Sequence, residues 1–360
     1  MPSATHSEIV NLLKLLPKYE FAFYYNHGSR KGATRRLIVA VNDLNEFHKE
    51  NVKKNKTHYP YTARIFKERL INFFCKYGAR THFNTFKLQN EINFKYGIIR
   101  KQDLLQDLRS WETLLCSSFM MRPIKKLKTD QDIEIAQNNN LRSTTAVAAI
   151  LTQNGESEVD FYKKIVRIPH YHSFSWFQLL EKEDSEKLVQ ENLEKFRKLY
   201  HPIIENNFKN SFTICDGQFN KDESSSVTRY LLSNINDNVH QNLDSISPLK
   251  YDVEKKFHKK HMTQEELYEK IDDSVTNLSH TKLSSKINRS IDKILLSHRN
   301  SKIFLILMSG PFLVGFYIFK YALKILIFYF LLKKKKPKEG DEQEDQEPSQ
   351  GTNTTDSVPV

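Results

Sequence analysis

Residues 21–41 read FAFYYNHGSRKGATRRLIVAV. Two runs rich in aromatic and β-branched side chains, Phe21 to Tyr25 and Leu37 to Val41, flank a stretch holding Gly28-Ser29 and Gly32. Runs of that kind bounded by turn residues predict two strands joined by a turn. Working outward, Phe83 to Leu88 and Ile92 to Ile99 predict a second strand pair around Gln89-Asn90. Between the pairs, Pro60 to Lys76 has helical periodicity with Ile65, Leu70, Ile71 and Phe74 as core positions. Leu104, Leu105, Leu108 and Trp111 mark the apolar face of a further helix. The first half, residues 1–128, is therefore expected to be α/β (α+β), a small mixed sheet flanked by helices. Ser143 to Leu151, Ser185 to Tyr200 and Gln264 to Ile271 predict helices, and the Asn/Ser-rich stretch 206–247 predicts a loop-rich insertion. Residues 129–300 are thus expected to form a helical second domain.

The length of 360 residues suits about two domains, and 27% charged residues exclude a mostly membrane-embedded chain. Cys75, Cys116 and Cys215 are far apart in sequence, which argues against a disulfide framework and a Cys-rich zinc site. The net charge of +12 is unevenly spread: residues 301–338 hold eight Lys and no acid, residues 339–360 seven acids and no base, and residues 1–300 carry +11. A body this basic favours an anionic partner. Ile303 to Leu332 is apolar apart from Lys320 and Lys324, and as one helix would be about 45 Å long, which predicts a transmembrane helix. The two lysines share a helix face, suited to snorkelling or to an acid on a partner. Gly310-Pro311 predicts a kink, Lys333 to Lys336 a basic anchor, and the acidic segment ending at residue 360 a disordered tail. Met1 to Leu16 holds one Lys, one Glu and no Arg, the pattern of neither a transit peptide nor a secretory signal.

Gly28-Ser29 between two strands has the layout by which nucleotidyltransferases hold a triphosphate, although most Gly-Ser pairs are ordinary turns. The next segment is more specific. His48, Asn51, Asn55, His58 and Tyr59 follow the spacing H-x2-N-x3-N-x2-H-Y. Around it lie Leu15-Leu16-Pro17, Tyr77-Gly78-Ala79 with Phe83-Asn84, Lys95-Tyr96-Gly97-Ile98-Ile99, Leu104-Leu105-Gln106-Asp107-Leu108 with Trp111, Arg122-Pro123-Ile124-Lys125, Asn140-Leu141-Arg142-Ser143 and Phe196-Arg197-Lys198-Leu199-Tyr200. In this order the segments resemble the mitochondrial translocator assembly and maintenance family, the mitochondrial phosphatidate cytidylyltransferases, over about the first 205 residues.

The resemblance implies a nucleotidyltransferase-like mixed-sheet domain and a helical, winged-helix-like domain on the matrix side of the mitochondrial inner membrane. It also implies that CTP and phosphatidic acid are joined with Mg²⁺ into CDP-diacylglycerol for cardiolipin synthesis. This chain departs from the family pattern where that chemistry is expected. The family's Tyr-Gly-Ser-Gly segment is Tyr25-Asn26-His27-Gly28-Ser29-Arg30 here, and the Asp of the following strand is replaced by Arg36. An Arg of the family aligns with Phe119, and its Gly-Asp-Phe-Arg segment aligns with His172-Ser173-Phe174-Ser175. A guanidinium repels Mg²⁺, which takes hard oxygen ligands.

The expectation is therefore a chain with no catalytic residues, degenerate at Arg30, Arg36, Phe119, Ser173 and Ser175, with Gly28 and Ser29 as a vestigial nucleotide loop assisted by Lys95 and Lys125. No metal and no cofactor are expected. Such a chain would serve as a single-pass structural subunit of an inner-membrane complex, of the respiratory chain or ATP synthase, with its main domain facing the matrix. Its partners would be other inner-membrane subunits and anionic lipid such as cardiolipin, and no nucleic acid. The alternative is an active cytidylyltransferase using CTP and Mg²⁺, with Asp43 and Glu46 as rearranged carboxylates. His170 and His172 form an i, i+2 pair without nearby acids or thiols, a pattern more typical of surface or packing than of a metal site. The clusters Lys53-Lys54-Lys56 and Lys125-Lys126-Lys128 read as solvated loops or as anion contacts.

Overall fold

The two strands expected within residues 21–41 are β1 (Phe21–His27) and β2 (Thr34–Val41), paired antiparallel with Phe21 opposite Ala40 and Tyr25 opposite Arg36. The computed structural model describes residues 6–27, 34–59, 80–87, 93–170, 185–246 and 279–295, with Arg64, Ile71 and Cys75 between them. All of these belong to one compact unit, residues 1–306. The second strand pair is β3 (Thr81–Lys87) and β4 (Asn93–Arg100), and β5 (Lys125–Lys128) completes a sheet of order β3-β4-β2-β1-β5. The central pair β2 and β4 is parallel and the other pairs are antiparallel.

A strand in the middle of a sheet covered on both faces needs apolar residues at consecutive positions rather than alternate ones. Leu37 to Val41 meets that need. Leu37, Val39 and Val41 join one core with Ile9, Leu12 and Leu13 of α1 (His6–Leu15) and Phe47 of α2 (Leu44–Lys54). Ile38 and Ala40 join the opposite core. Its other members include Leu104 and Leu108 of α3 (Lys101–Ser110), Met120 of α4 (Cys116–Met120), and Ile133 and Ala136 of α5 (Gln131–Leu151). Neighbouring side chains fill the space over Gly97: a Cβ there would stand 2.8 Å from Ile38 Cδ1 and 2.9 Å from Phe83 Cε1.

The larger core lies in the second half. It takes the C-terminal part of α5, then α6 (Glu158–Arg167), α7 (Ser185–Glu191), α8 (Leu193–Asn207), α9 (Ser225–Ser233), α10 (Asp237–Ile246) and a helix over residues 280–295. Ser157 and Asp160 close a reciprocal capping box at the start of α6.

The stretch 206–247, expected to be loop-rich, is instead ordered into a hairpin, β6 (Phe212–Cys215) with β7 (Gln218–Lys221), followed by α9 and α10. The turn is Asp216-Gly217, both at positive φ, as a two-residue hairpin requires. Burial of Phe208, Phe212, Phe219, Leu231, Leu232, Val239 and Leu243 outweighs the Asn/Ser composition between them. The helix expected over Pro60 to Lys76 lies largely outside the described residues, and those over Gln264 to Ile271 and 303–332, with the acidic tail, lie wholly outside. Among the described residues no helix is long and apolar enough to cross a membrane.

Candidate functional site

Gly28, Ser29 and Arg30 lie outside the described residues, but the strand ends that flank them do not. Arg36, half-buried on β2, is the register partner of Tyr25 on β1 and of Lys95 on β4. Strand alternation puts these three side chains on the face of the sheet that carries Phe23, Ile38 and Ile99. Phe119 stacks on the Tyr25 ring, centroids 4.4 Å apart and planes 20° from parallel. Burial pushes the Tyr25 hydroxyl well above the ordinary phenol range, while the positive charges of Arg36 and Arg122 pull it back. Both guanidiniums therefore act on one phenol.

From here a cleft of about 390 Å³ opens between the sheet edge and α7–α8. Tyr24, Tyr25, Arg122 and Lys125 line one side, and Leu188, Asn192, Lys195 and Phe196 the other. The Lys195 ammonium donates to Asn192 Oδ1 at 2.9 Å. Among the described residues the lining is cationic and aromatic and includes no carboxylate. Such groups can hold phosphate oxygens and stack a flat ring. They do not fit Mg²⁺, and among the described residues no group of three or more His, Cys, Asp or Glu could hold a metal ion.

The carboxylates proposed from sequence lie elsewhere. Asp43 is the N-cap of α2, its Oδ1 accepting from the Asn45 amide at 2.7 Å and the Glu46 amide at 3.2 Å. It stands seven residues beyond Arg36, about 23 Å along an extended chain. There it lines a separate cleft with Cys75, Arg80, Arg100 and Asp103. Asp43 and the exposed Glu46 thus belong to the opposite end of β2.

The H-x2-N-x3-N-x2-H-Y residues form a buried network on the other face of the sheet from Arg36. His48 Nδ1 meets the Tyr59 hydroxyl at 2.8 Å, and Asn51 Nδ2 donates to the same hydroxyl at 2.8 Å and to that of Tyr96 at 3.2 Å. His58 Nδ1 lies 2.8 Å from the Tyr96 hydroxyl, to which Asn84 Nδ2 donates at 3.3 Å. Asn55 Nδ2 donates to Asn51 Oδ1 at 2.7 Å and to the Leu15 carbonyl at 3.0 Å. Burial lowers the pKa of His48 to about 3 and that of His58 to about 4. His82, 3.0 Å from Asn84 Oδ1, is lowered by burial to about 4. The spacing marks a polar lock that ties α2 to β3 and β4, with its histidines neutral.

Of the remaining sequence candidates, His170 ends a short 3-10 turn, Ile168–His170, and His172, Ser173 and Ser175 lie outside the described residues. Lys54 pairs with Glu50 at 2.5 Å, Lys126 with Glu134, and Lys128 donates to the Tyr19 carbonyl. Lys125 alone of its cluster lines the cleft. Sequence reasoning did not single out Tyr25, Arg122 or Lys195 as site residues. Only the fold brings residues 24, 122 and 195 together.

A family profile described as "Phosphatidate cytidylyltransferase, mitochondrial" matches residues 18–321. The chain belongs to this family. A cytidylyltransferase of that name from Dictyostelium discoideum is 28% identical over 229 residues, 56% of this chain and 53% of the relative. The human one is 26% identical over 197 residues, 52% of this chain and 44% of the relative. The one from Saccharomyces cerevisiae is 28% identical over 172 residues, 46% and 44% of the two chains. The chain spans about half the length of these cytidylyltransferases. The resemblance read from the motifs is confirmed, the family is mitochondrial, and its named members weigh toward an enzyme rather than a structural subunit.

Proposed function

We propose that the chain carries out the reaction its relatives are named for, cytidylyl transfer to phosphatidate in the mitochondrion. The phosphate of phosphatidate attacks the α-phosphorus of CTP, pyrophosphate leaves, and CDP-diacylglycerol forms for cardiolipin synthesis. The family match over residues 18–321, which runs through both halves of the fold, carries this reading. In the cleft, Arg122, Lys125 and Lys195 would hold phosphate oxygens, and the stacked Tyr25–Phe119 pair would wall the nucleotide side. Among the described residues no group of three or more His, Cys, Asp or Glu could hold magnesium, so no step is assigned to a metal. The nucleotidyltransferase-like and winged-helix-like character of the two halves belongs to the same proposal. So do a single-pass anchor at residues 303–332, an inner-membrane location with the body in the matrix, and partners drawn from anionic lipid and not nucleic acid.

One observation favours a second reading. The resemblance implies an Asp at the position of Arg36, which here pairs in register with Tyr25, and the described lining of the cleft has no carboxylate to replace it. That suits a non-catalytic subunit of a respiratory-chain or ATP-synthase complex. The deciding experiment supplies full-length chain in mild detergent with CTP, phosphatidate and Mg²⁺ and measures CDP-diacylglycerol. Product that disappears in Lys125→Ala supports the enzyme. No product from folded protein that co-purifies with other inner-membrane proteins supports the subunit.

A further inference from the structure

Two basic segments far apart in the chain meet on one face of the sheet. Residues 12–18 read LLKLLPK and residues 52–58 read VKKNKTH, together five lysines and no acid. The first closes α1 and the second closes α2, and Asn55 Nδ2 donates to the Leu15 carbonyl at 3.0 Å. Lys14, Lys18, Lys53, Lys54 and Lys56 thus all lie within three residues of one hydrogen bond, and all five are exposed. The flanking acids are engaged: Glu50 pairs with Lys54, and Glu20 accepts from Asn42 and lies 3.9 Å from Lys128. Lys14, Lys53 and Lys54 stand in last helical turns, where a cation offsets the helix dipole. That role does not cover Lys18 and Lys56, which lie past the helix ends. Nor does it account for Leu15, which stands 50% exposed among the lysines.

We propose that the C-terminal ends of α1 and α2 form a docking surface for an anionic bilayer, the five lysines resting on its headgroups and Leu15 entering the interface between them. Clustered lysines are drawn to a negative membrane surface, and an apolar side chain among them gains by leaving water there. A nucleic acid would satisfy the lysines but offers Leu15 nothing. The choice of a bilayer also rests on the reading under Proposed function, in which the phosphate acceptor is a lipid. The position of the cleft agrees with it. Tyr24 belongs to the core beneath α1 and α2, lines the cleft, and has its ring 6.0 Å from that of His6 at the start of α1. The ten residues of α1 span about 15 Å from there to the lysines. A bilayer on this surface therefore lies close to the mouth of the cleft.

The test reconstitutes full-length protein with nanodiscs of phosphatidylcholine alone or of phosphatidylcholine with cardiolipin, acetylates its lysines with a small reagent, and reads each site by mass spectrometry. Acetylation of Lys14, Lys18, Lys53 and Lys56 should be at least fivefold slower on the cardiolipin discs than on the neutral ones. Salt at about 1 M, which cuts the screening length to about 3 Å, should restore it. Each lysine contributes about fivefold to adsorption. The double variant Lys14→Gln with Lys53→Gln should therefore weaken docking about 25-fold and expose Lys18 and Lys56 again, at an unchanged melting temperature. Equal rates on the two kinds of disc, protection that survives high salt, or protection of Lys18 and Lys56 that the double variant leaves intact overturns the proposal. So does protection already present in detergent without lipid, which means that protein covers the surface, or protection by a DNA oligonucleotide but not by cardiolipin discs. The two readings fail separately: CDP-diacylglycerol formation without cardiolipin-dependent protection removes this surface and keeps the enzyme, whereas protection without turnover does the reverse.

Discussion

Mild acid should loosen the sheet half of this protein well before its carboxylates titrate. His48, His58 and His82 have folded-state pKa values lowered to about 3, 4 and 4 from an ordinary 6.5. The unfolded chain therefore takes up protons that the folded chain refuses. Their contribution is fully present above pH 6.5 and is withdrawn as pH falls below it. At pH 5, a fully buried histidine with a folded pKa near 3 withdraws about 2 kcal/mol. His48 meets that condition, and the less insulated His58 and His82 bring the total to about 4 kcal/mol. That is a large share of the roughly 5–15 kcal/mol that holds a typical domain folded. Asp160, lowered to about 2, gives up its stabilisation only as pH falls below the ordinary carboxylate range, outside this window. Urea denaturation at pH 7.5, 6 and 5 is the assay, with His48→Phe as the control, less stable at pH 7.5 but with a shallower pH slope. A midpoint that does not move between pH 7.5 and 5, or a slope unchanged in His48→Phe, refutes the assignment of neutral buried histidines.

Gly97→Ala should cost about 1–3 kcal/mol in a denaturation experiment, because the added methyl meets Ile38 and Phe83 at under 3 Å. Arg197→Met should destabilise by about 3 kcal/mol, since it strips the paired guanidinium contacts from Glu158, itself only 4% exposed, and the double variant with Glu158→Leu should recover part of the loss. In native protein a thiol reagent should modify Cys215 alone among the three cysteines, because burial pushes the Cys75 thiol up to about 12 and raises that of Cys116. Mass spectrometry after labelling reads this directly, and rapid labelling of Cys75 would contradict the burial. Asn140→Leu should cost about 2 kcal/mol, because Asn140 Oδ1 accepts from the Trp111 indole at 2.7 Å in a buried setting, and the cost appears as a lower urea midpoint.

Much of the sheet was legible because strand residues buried on both faces leave an unambiguous apolar run, as Leu37 to Val41 does. Its order was not, since which strands pair depends on contacts between residues far apart in sequence. The stretch 206–247 shows a different failure. Its Asp216-Gly217 pair is a strong hairpin signal and its apolar residues are well spaced, but a count of Asn and Ser hides both. At the site, Arg36 was singled out from the family resemblance, and its position beside Tyr25 and Lys95 follows from register. Asp43 was a plausible metal ligand by residue type alone. An aspartate immediately before a helix is more often its cap, and this one is. The motif of histidines and asparagines gave away kinship but not its role, because spacing does not reveal whether a polar residue faces solvent or a neighbouring hydroxyl.

The 21-residue α5 contributes Ile133 and Ala136 to the core under the sheet, and Leu141 and Ala146 to Leu151 to the core of the second half. The Tyr200 hydroxyl of α8 donates to the Met121 carbonyl, next to Arg122, at 2.6 Å. The two sides of the cleft are thus mounted on one girder and bolted across it, like the jaws of a gauge set to a fixed opening. A ligand drawn to such a mouth by its charge loses little to rearranging the walls once it enters.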